Sequence, residues 1–302
     1  MRKSAFYRKF LRPIKHVLGY WLLLAIVFFV RIKPRGIVLC LARLLGKFVF
    51  RVSKKDREIA LENLAIAFPE ISETERIATA RMCFANTMMN FADMLRVKSL
   101  MKKRPPIWRI EGEEHLREVQ SRYGGGIVIT GHIGPFELIA PIWKSLGVNV
   151  AVVGRRLYDE RIDRLLVKQR QKTGVENIPS DSHPRRVLSM IRSGYLIGTL
   201  IDTHTKSVDG LPAPFFGREV RTISAPAGLA RISGTPLLPM AIFREGKAGF
   251  LLKVWAPIEV ERTSDRDADI RELLRRGNEA IEAMIRFRPE QWIWFHDRFR
   301  NS

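Results

Sequence analysis

A histidine and a glutamate five positions apart, His132 and Glu137, stand in the segment Ile127-Val-Ile-Thr-Gly-His132-Ile-Gly-Pro-Phe-Glu137. An imidazole with a carboxylate on one ring nitrogen has a fixed tautomer. Its other nitrogen can then take a proton from a hydroxyl, which is the work of a general base. The spacing restricts how the two can meet. On a continuous helix, residues five apart lie roughly 140° apart around the axis and share no face. His132 must therefore sit in a turn before the helix, with Glu137 at the helix start. Gly131, Gly134 and Pro135 supply such a turn. Where the side chains do not meet, the pattern reduces to a loop histidine beside an acid that complements a helix N-terminus.

The elements around the turn follow from hydrophobic periodicity. Short, continuously apolar runs predict buried strands at 126–130, 150–154, 195–202, 237–243 and 250–256. Between and after them, helical spacing predicts helices at 136–146, 159–173, 184–193, 225–233 and 267–287. Upstream, helices are expected at 57–67 and 73–97, the second opened by a Ser72/Glu75 capping box. Apolar strands alternating with amphipathic helices predict an α/β fold, a mostly parallel or mixed open sheet covered by helices. Two cysteines, Cys40 and Cys83, offer neither a disulfide framework nor metal-ligand spacing. His183, His204, His296 and Asp209 have no metal spacing either, so no metal is expected.

Charge is concentrated at one end. Fourteen of the 52 Lys and Arg residues precede Asp56, the first acid, so the first 55 residues supply two-thirds of the net charge of +21. Inside that arm, residues 17–30 form an uncharged apolar run of fourteen residues, flanked by Arg12 and Lys15 before and by Arg31, Lys33 and Arg35 after. A helical crossing of the hydrocarbon core takes roughly 20 residues. With snorkelling cations a membrane-crossing anchor helix is open, and an interfacial anchor equally so. Basic chains also bind nucleic acid, but cations flanking a Trp-, Phe- and Leu-rich run suit an anionic membrane lipid better, and no nucleic acid partner is expected. The expected organisation is a basic arm and N-terminal membrane-anchor helix over 1–35, then a domain over 36–302, helical over 36–106 and α/β over 107–302.

From about Arg57 to Phe299 the chain resembles the late acyltransferases of lipid A biosynthesis, within the lysophospholipid acyltransferase superfamily. The resemblance is carried by Asn63-Leu, Phe68-Pro-Glu70, Gly131-His132-Ile-Gly-Pro-Phe-Glu137, Arg170-Gln-Lys-Thr-Gly174 and Ile201-Asp202. It continues through Pro214-Phe-Phe-Gly217 with Thr222, Ser233-Gly-Thr-Pro-Leu-Leu-Pro239 and the ending Pro289-Glu-Gln-Trp-Ile-Trp-Phe-His-Asp-Arg-Phe299. It implies an enzyme of the bacterial inner membrane, its catalytic domain on the cytoplasmic face. Such an enzyme moves a fatty acyl chain from an acyl thioester, carried by acyl carrier protein, to a hydroxyl of a lipid A precursor. No cofactor is implied beyond the thioester co-substrate. The family pattern makes His132 the general base and Glu137 its orienting acid, and ties Arg170 to catalysis. Asp202 matches an acid of that pattern. Members usually carry an amide after that acid, whereas Thr203 and His204 follow it here, which leaves room for a different acceptor.

Acyl transfer from a thioester needs a base, stabilisation of the tetrahedral oxyanion and exclusion of water. His132 is expected to supply the first. Arg170 is expected to supply the second, assisted by backbone N–H groups near Gly134. Asp202, Gly134 and Phe136 are expected on the substrate side of the site. The absence of Gly-x-Ser-x-Gly and of a His near either cysteine favours direct transfer over an acyl-enzyme. The alternatives are an acyltransferase for a glycolipid, lysophospholipid or aminolipid, using acyl-CoA or acyl carrier protein, and a thioesterase or lipid hydrolase that turns the same base on water.

Overall fold

The computed structural model describes residues 12–203, 210–246 and 249–299. The basic residues of positions 1–11, and with them part of the expected arm, lie outside the described residues, as do His204 and Asp209. Helix α1 (Arg12–Ile32) and helix α2 (Arg35–Val52) precede α3 (Lys54–Ala67), α4 (Glu73–Met94) and the single turn α5 (Val97–Leu100). The capping box expected at Ser72 is present, with Glu75 reaching back to the Ser72 backbone.

Then come β1 (Trp108–Glu111), α6 (Glu113–Tyr123), β2 (Gly126–Thr130), α7 (Ile139–Ser145), β3 (Val150–Gly154), α8 (Glu160–Gln171), β4 (Glu176–Pro179), α9 (Pro184–Arg192) and β5 (Leu196–Leu200). A hairpin of β6 (Gly210–Phe215) and β7 (Arg218–Ile223) leads to α10 (Ala225–Ser233), β8 (Leu237–Glu245), β9 (Gly249–Val254) and α11 (Arg266–Phe287). A 3-10 turn over Phe136–Leu138 precedes α7, so the helix expected from 136 begins as a tighter turn.

Seven strands form one sheet in the order β1-β9-β8-β2-β5-β3-β4. All neighbours are parallel except β8 and β9. The expected α/β class, a mixed and mostly parallel sheet covered by helices, is what forms. Alternation along β2 shows why both faces are covered: Ile127 and Ile129 enter one apolar core with α9, α10 and α11, while Val128 enters the other with α6 and α7.

Strands β2 and β5 are neighbours in register, Thr130 opposite Leu200. The chain leaving β2 runs to β3 on one side, and the chain leaving β5 returns to β8 on the other. Such a reversal opens a crevice at the carboxyl ends of the two strands, where open α/β sheets place their ligands. His132 and Asp202 each lie two residues beyond their strand, at that crevice.

The N-terminal helices form a layer on this body. Gly46 of α2 crosses α4 so closely that a Cβ would lie 2.4 Å from the Phe84 carbonyl oxygen. Asp93 of α4, fully buried, holds Arg35 of α2 at 2.7 Å and Arg244 of β8 at 2.8 Å, tying the layer to the sheet. Side chains of the layer also satisfy carbonyls of the C-terminal segment. Asn63 donates to Trp294 O (2.7 Å) and His296 O (2.8 Å), Asn86 to Glu290 O (2.9 Å), and the Cys83 thiol to Trp292 O (2.9 Å).

On its outer side α2 leaves Ile37, Leu41, Leu44, Leu45, Phe48 and Val52 exposed, one stripe at helical spacing. Arg43 and Arg51 are exposed beside it. On α1, Trp21, Leu22, Ile26, Phe28, Phe29 and Ile32 are exposed. Among the described residues no helix is long and apolar enough to cross a membrane, so the crossing form of the expected anchor finds no support here.

Candidate active site

Continuously apolar β2 ends at Thr130, and the chain then breaks as expected. Gly134 has φ +55°, and a Cβ there would come within 2.0 Å of the Ile242 carbonyl oxygen, so the turn presses against β8 in a way only glycine allows. This is the role the structure gives Gly134, expected instead on the substrate side. Its own N–H donates to Gln291 O at 2.9 Å, so it is not a free donor for an oxyanion.

The carboxylate on the imidazole is that of Asp202 and not that of Glu137. His132 Nδ1 lies 2.9 Å from Asp202 Oδ1, and the His132 backbone N–H donates to Asp202 Oδ2 at 2.7 Å. Trp292 Nε1–H donates to the same Oδ2 at 2.7 Å. The Asp202 side chain has no exposure, so it faces the imidazole and not the substrate side where it was expected. Burial acts to raise its pKa, but the facing imidazole and the three donated hydrogen bonds prevail and hold it well below the usual carboxylate range. Burial likewise acts to lower the pKa of His132. The charges of Asp202 and Glu137, with the Asp202 hydrogen bond, outweigh burial, and the net direction is upward. With Nδ1 engaged, Nε2 is the other ring nitrogen, on a side chain that is 27% exposed.

Glu137 has another partner. Arg170, in the last turn of α8, donates from Nε to Glu137 Oε2 at 3.0 Å and from Nη2 to Oε1, and its Nη1 reaches Asn177 Oδ1 on β4. This fork-on-fork pair is nearly buried, with 11% and 10% of the two side chains exposed. The guanidinium expected to stabilise an oxyanion is thus committed to a carboxylate and an amide. Glu137 acts on His132 through its charge at a distance.

Between the sheet and α7 lies a pocket of about 640 Å³, counting the space open to solvent at its mouth. Its wall is chiefly apolar, with Val128, Trp143, Val152, Leu196 and Met240, and its two charged members are Glu137 and Arg170. Phe136, expected on the substrate side, is part of this wall and meets the His132 ring edge-on at 4.9 Å between centroids.

Residue spacing does not single out Trp292 or Asn177 as site residues. Trp292 lies inside the Pro289 to Phe299 ending, but nothing local ties it to His132. His296 also faces the pair. Burial lowers its pKa, and the Asp202 charge opposes that shift. Cys83 is no nucleophile, since burial pushes its thiol up to about 12.

Residues 4–301 match the model of a family described as bacterial lipid A biosynthesis acyltransferase. The chain is 26% identical over 286 residues to the lipid A biosynthesis myristoyltransferase of Escherichia coli (strain K12), covering 91% of this chain and 85% of the relative. To the lipid A biosynthesis lauroyltransferase of the same organism it is 25% identical over 284 residues, covering 93% and 90%. A solved structure, the 1-acyl-sn-glycerophosphate (LPA) acyltransferase PlsC from Thermotoga maritima, is 14% identical. It covers 83% of this chain and 98% of its own with a TM-score of 0.37, too distant to bear on the site. With the family model matched over residues 4–301, the chain belongs to the bacterial lipid A biosynthesis acyltransferases.

Proposed function

We propose that the protein transfers a fatty acyl chain from an acyl thioester, carried by acyl carrier protein, to a hydroxyl of a lipid A precursor. The observation that carries the reading is the buried Asp202 carboxylate on His132 Nδ1 beside an apolar pocket. The acyl chain occupies the pocket, and its thioester carbonyl sits at the mouth near Phe136. The acceptor hydroxyl approaches Nε2, gives up its proton and attacks the carbonyl carbon. The imidazolium that forms is stabilised by Asp202 and returns the proton to the departing thiolate. No side-chain nucleophile and no cofactor take part. The Glu137–Arg170 pair braces α8 against the catalytic turn and closes one wall of the pocket.

The stripe on α2 and the exposed face of α1 suit an interfacial anchor, apolar residues in the acyl boundary and Arg and Lys among anionic headgroups. In this reading the protein works at the cytoplasmic face of the bacterial inner membrane, where both a soluble acyl carrier and a lipid acceptor can reach the site.

Product analysis with purified protein tests the reading. With an acyl-carrier-protein thioester, acylated product is expected only when a lipid A precursor is present. Rapid free fatty acid release that the acceptor does not affect would make the protein a thioesterase. Acylation of a glycolipid, lysophospholipid or aminolipid in preference to lipid A precursor would replace the acceptor.

A further inference from the structure

The proposed reaction uses His132 and Asp202, but the turn that carries the base is gripped from a third place in the chain. Trp292 is buried, with 1% exposed, and its backbone pairs with Ile133 in an isolated antiparallel bridge. The preceding carbonyl, that of Gln291, accepts the Gly134 N–H. The Gln291 side chain is itself pinned on β8, accepting from Arg244 N at 2.7 Å and donating to Arg244 O at 2.9 Å. Two adjacent residues thus fix the backbone on the far side of His132. The Trp292 ring then reaches past that turn to the acid.

A carboxylate can rotate about its bond to Cβ unless both oxygens are held. Here Oδ1 faces the imidazole, and Oδ2 lies between two donors, the His132 N–H and the Trp292 indole N–H. The first moves with the catalytic turn. The second comes from a segment anchored to the helical layer through Cys83, Asn63 and Asn86. A buried indole N–H needs an acceptor, and a backbone carbonyl serves as well as any, as Trp294 shows by donating to Pro289 O. That Trp292 spends its N–H on the orienting acid is therefore not a demand of packing.

We propose that Trp292 is a positioning residue for acyl transfer, its indole N–H holding Asp202 Oδ2 so that Oδ1 stays aimed at His132 Nδ1. The inference rests on the proposed role of His132 as base. Without the N–H the carboxylate carries its charge on fewer donors. It is then more basic and holds the proton on His132 more firmly, while its orientation loosens. Both effects fall on the chemical step and neither on the pocket. The other charged groups facing the pair, Glu137, His296 and Arg298, are unchanged by the substitution.

The test replaces Trp292 site-specifically, in the full chain, by 3-benzothienylalanine, which puts sulfur where the N–H was and keeps the ring shape. 5-Fluorotryptophan at the same position keeps the N–H. The benzothienyl protein is expected to lose about tenfold in kcat with KM within twofold of wild type, and to move the acid limb of its pH profile to higher pH. The fluorotryptophan protein is expected to match wild type. Trp292→Phe, with its thermal melt, separates loss of the fold from loss of the donor. A benzothienyl protein with wild-type kcat and an unmoved acid limb would reduce Trp292 to packing. His132→Ala, run alongside, tests the underlying reading separately. If it keeps full activity, the base itself is misassigned, whatever Trp292 does.

Discussion

His132 Nδ1 and Asp202 Oδ1 lie 2.9 Å apart although their residues are separated by 70 positions in the chain. Parallel pairing of β2 with β5, Thr130 opposite Leu200, places both residues two steps past their strands. The acid–base pair is therefore a product of sheet register, and a slip of one residue would separate it.

Asp202→Asn keeps the side chain's size and removes its charge. An amide offers the imidazole the wrong partner and puts an N–H toward donors that need an acceptor. A loss of about 10³ to 10⁴ in kcat is expected. Steady-state kinetics, with a melting curve to establish that the variant is folded, checks it.

The pH dependence follows from the direction of the His132 shift. The base works when neutral, and its pKa is raised above the ordinary value of 6.5. kcat/KM should thus rise with pH through a midpoint above 6.5 and flatten beyond it. In Asp202→Asn the raising charge is gone and burial, which lowers the pKa, dominates. The residual activity should then rise through a lower midpoint. A wild-type midpoint at or below the ordinary value would contradict the arrangement.

Glu137→Gln separates the two carboxylates. Were Glu137 the orienting acid, this variant would lose as much rate as Asp202→Asn. With Glu137 on Arg170, a kcat loss of no more than about tenfold is expected. Stability should suffer instead, because a nearly buried guanidinium loses its counter-ion, at a cost on the order of 3 kcal/mol. Thermal or urea unfolding reads the second effect and kinetics the first.

Chain-length preference should answer to the pocket wall. Ala140→Phe adds a ring to the wall of the pocket that Val152 and Met240 also line. Each methylene that no longer fits costs about 0.8 kcal/mol, roughly fourfold in kcat/KM. A series of acyl thioesters is expected to shift its optimum to shorter chains with this variant. An unchanged optimum would place the acyl chain elsewhere.

Membrane association should depend on the α2 stripe. Leu44→Glu with Phe48→Glu puts two charges among its exposed apolar residues and should sharply lower co-sedimentation with anionic vesicles. Added salt should lower it further by screening the neighbouring Arg and Lys.

Local signals make the turn that carries His132 legible. The apolar run Ile127–Thr130, the glycines at 131 and 134 and Pro135 fix strand, break and helix start within a dozen residues. The same holds for β3, whose bounds match expectation, and for the Ser72 cap. What escaped was short, polar or proline-bearing. β4, Glu-Asn-Ile-Pro, has one fully buried residue, and β6 carries Pro212 and Pro214, which a central strand would exclude but a two-stranded ribbon tolerates. β1 and α6 were missed as well, since charged residues dominate both.

The partner of His132 escapes sequence reasoning for a different reason. Sequence spacing compares neighbours in the chain, so Glu137 stood out and Asp202 did not. The register joining β2 to β5, the reach of Arg170 to Glu137 across 33 positions and that of Trp292 to Asp202 across 90 are tertiary facts. Asp202 was nevertheless visible as a strand-end acid. Only the residue it serves was hidden.

The most direct measurement is a mass-spectrometric lipid profile of cells carrying the wild-type gene, a deletion, or His132→Ala. Loss of the same single acyl chain from lipid A in the deletion and in His132→Ala is the expected result, and the mass difference would give the chain length. A wild-type lipid profile in the His132→Ala strain would contradict acyl transfer through this base, and an unaltered lipid A in the deletion would contradict the acceptor.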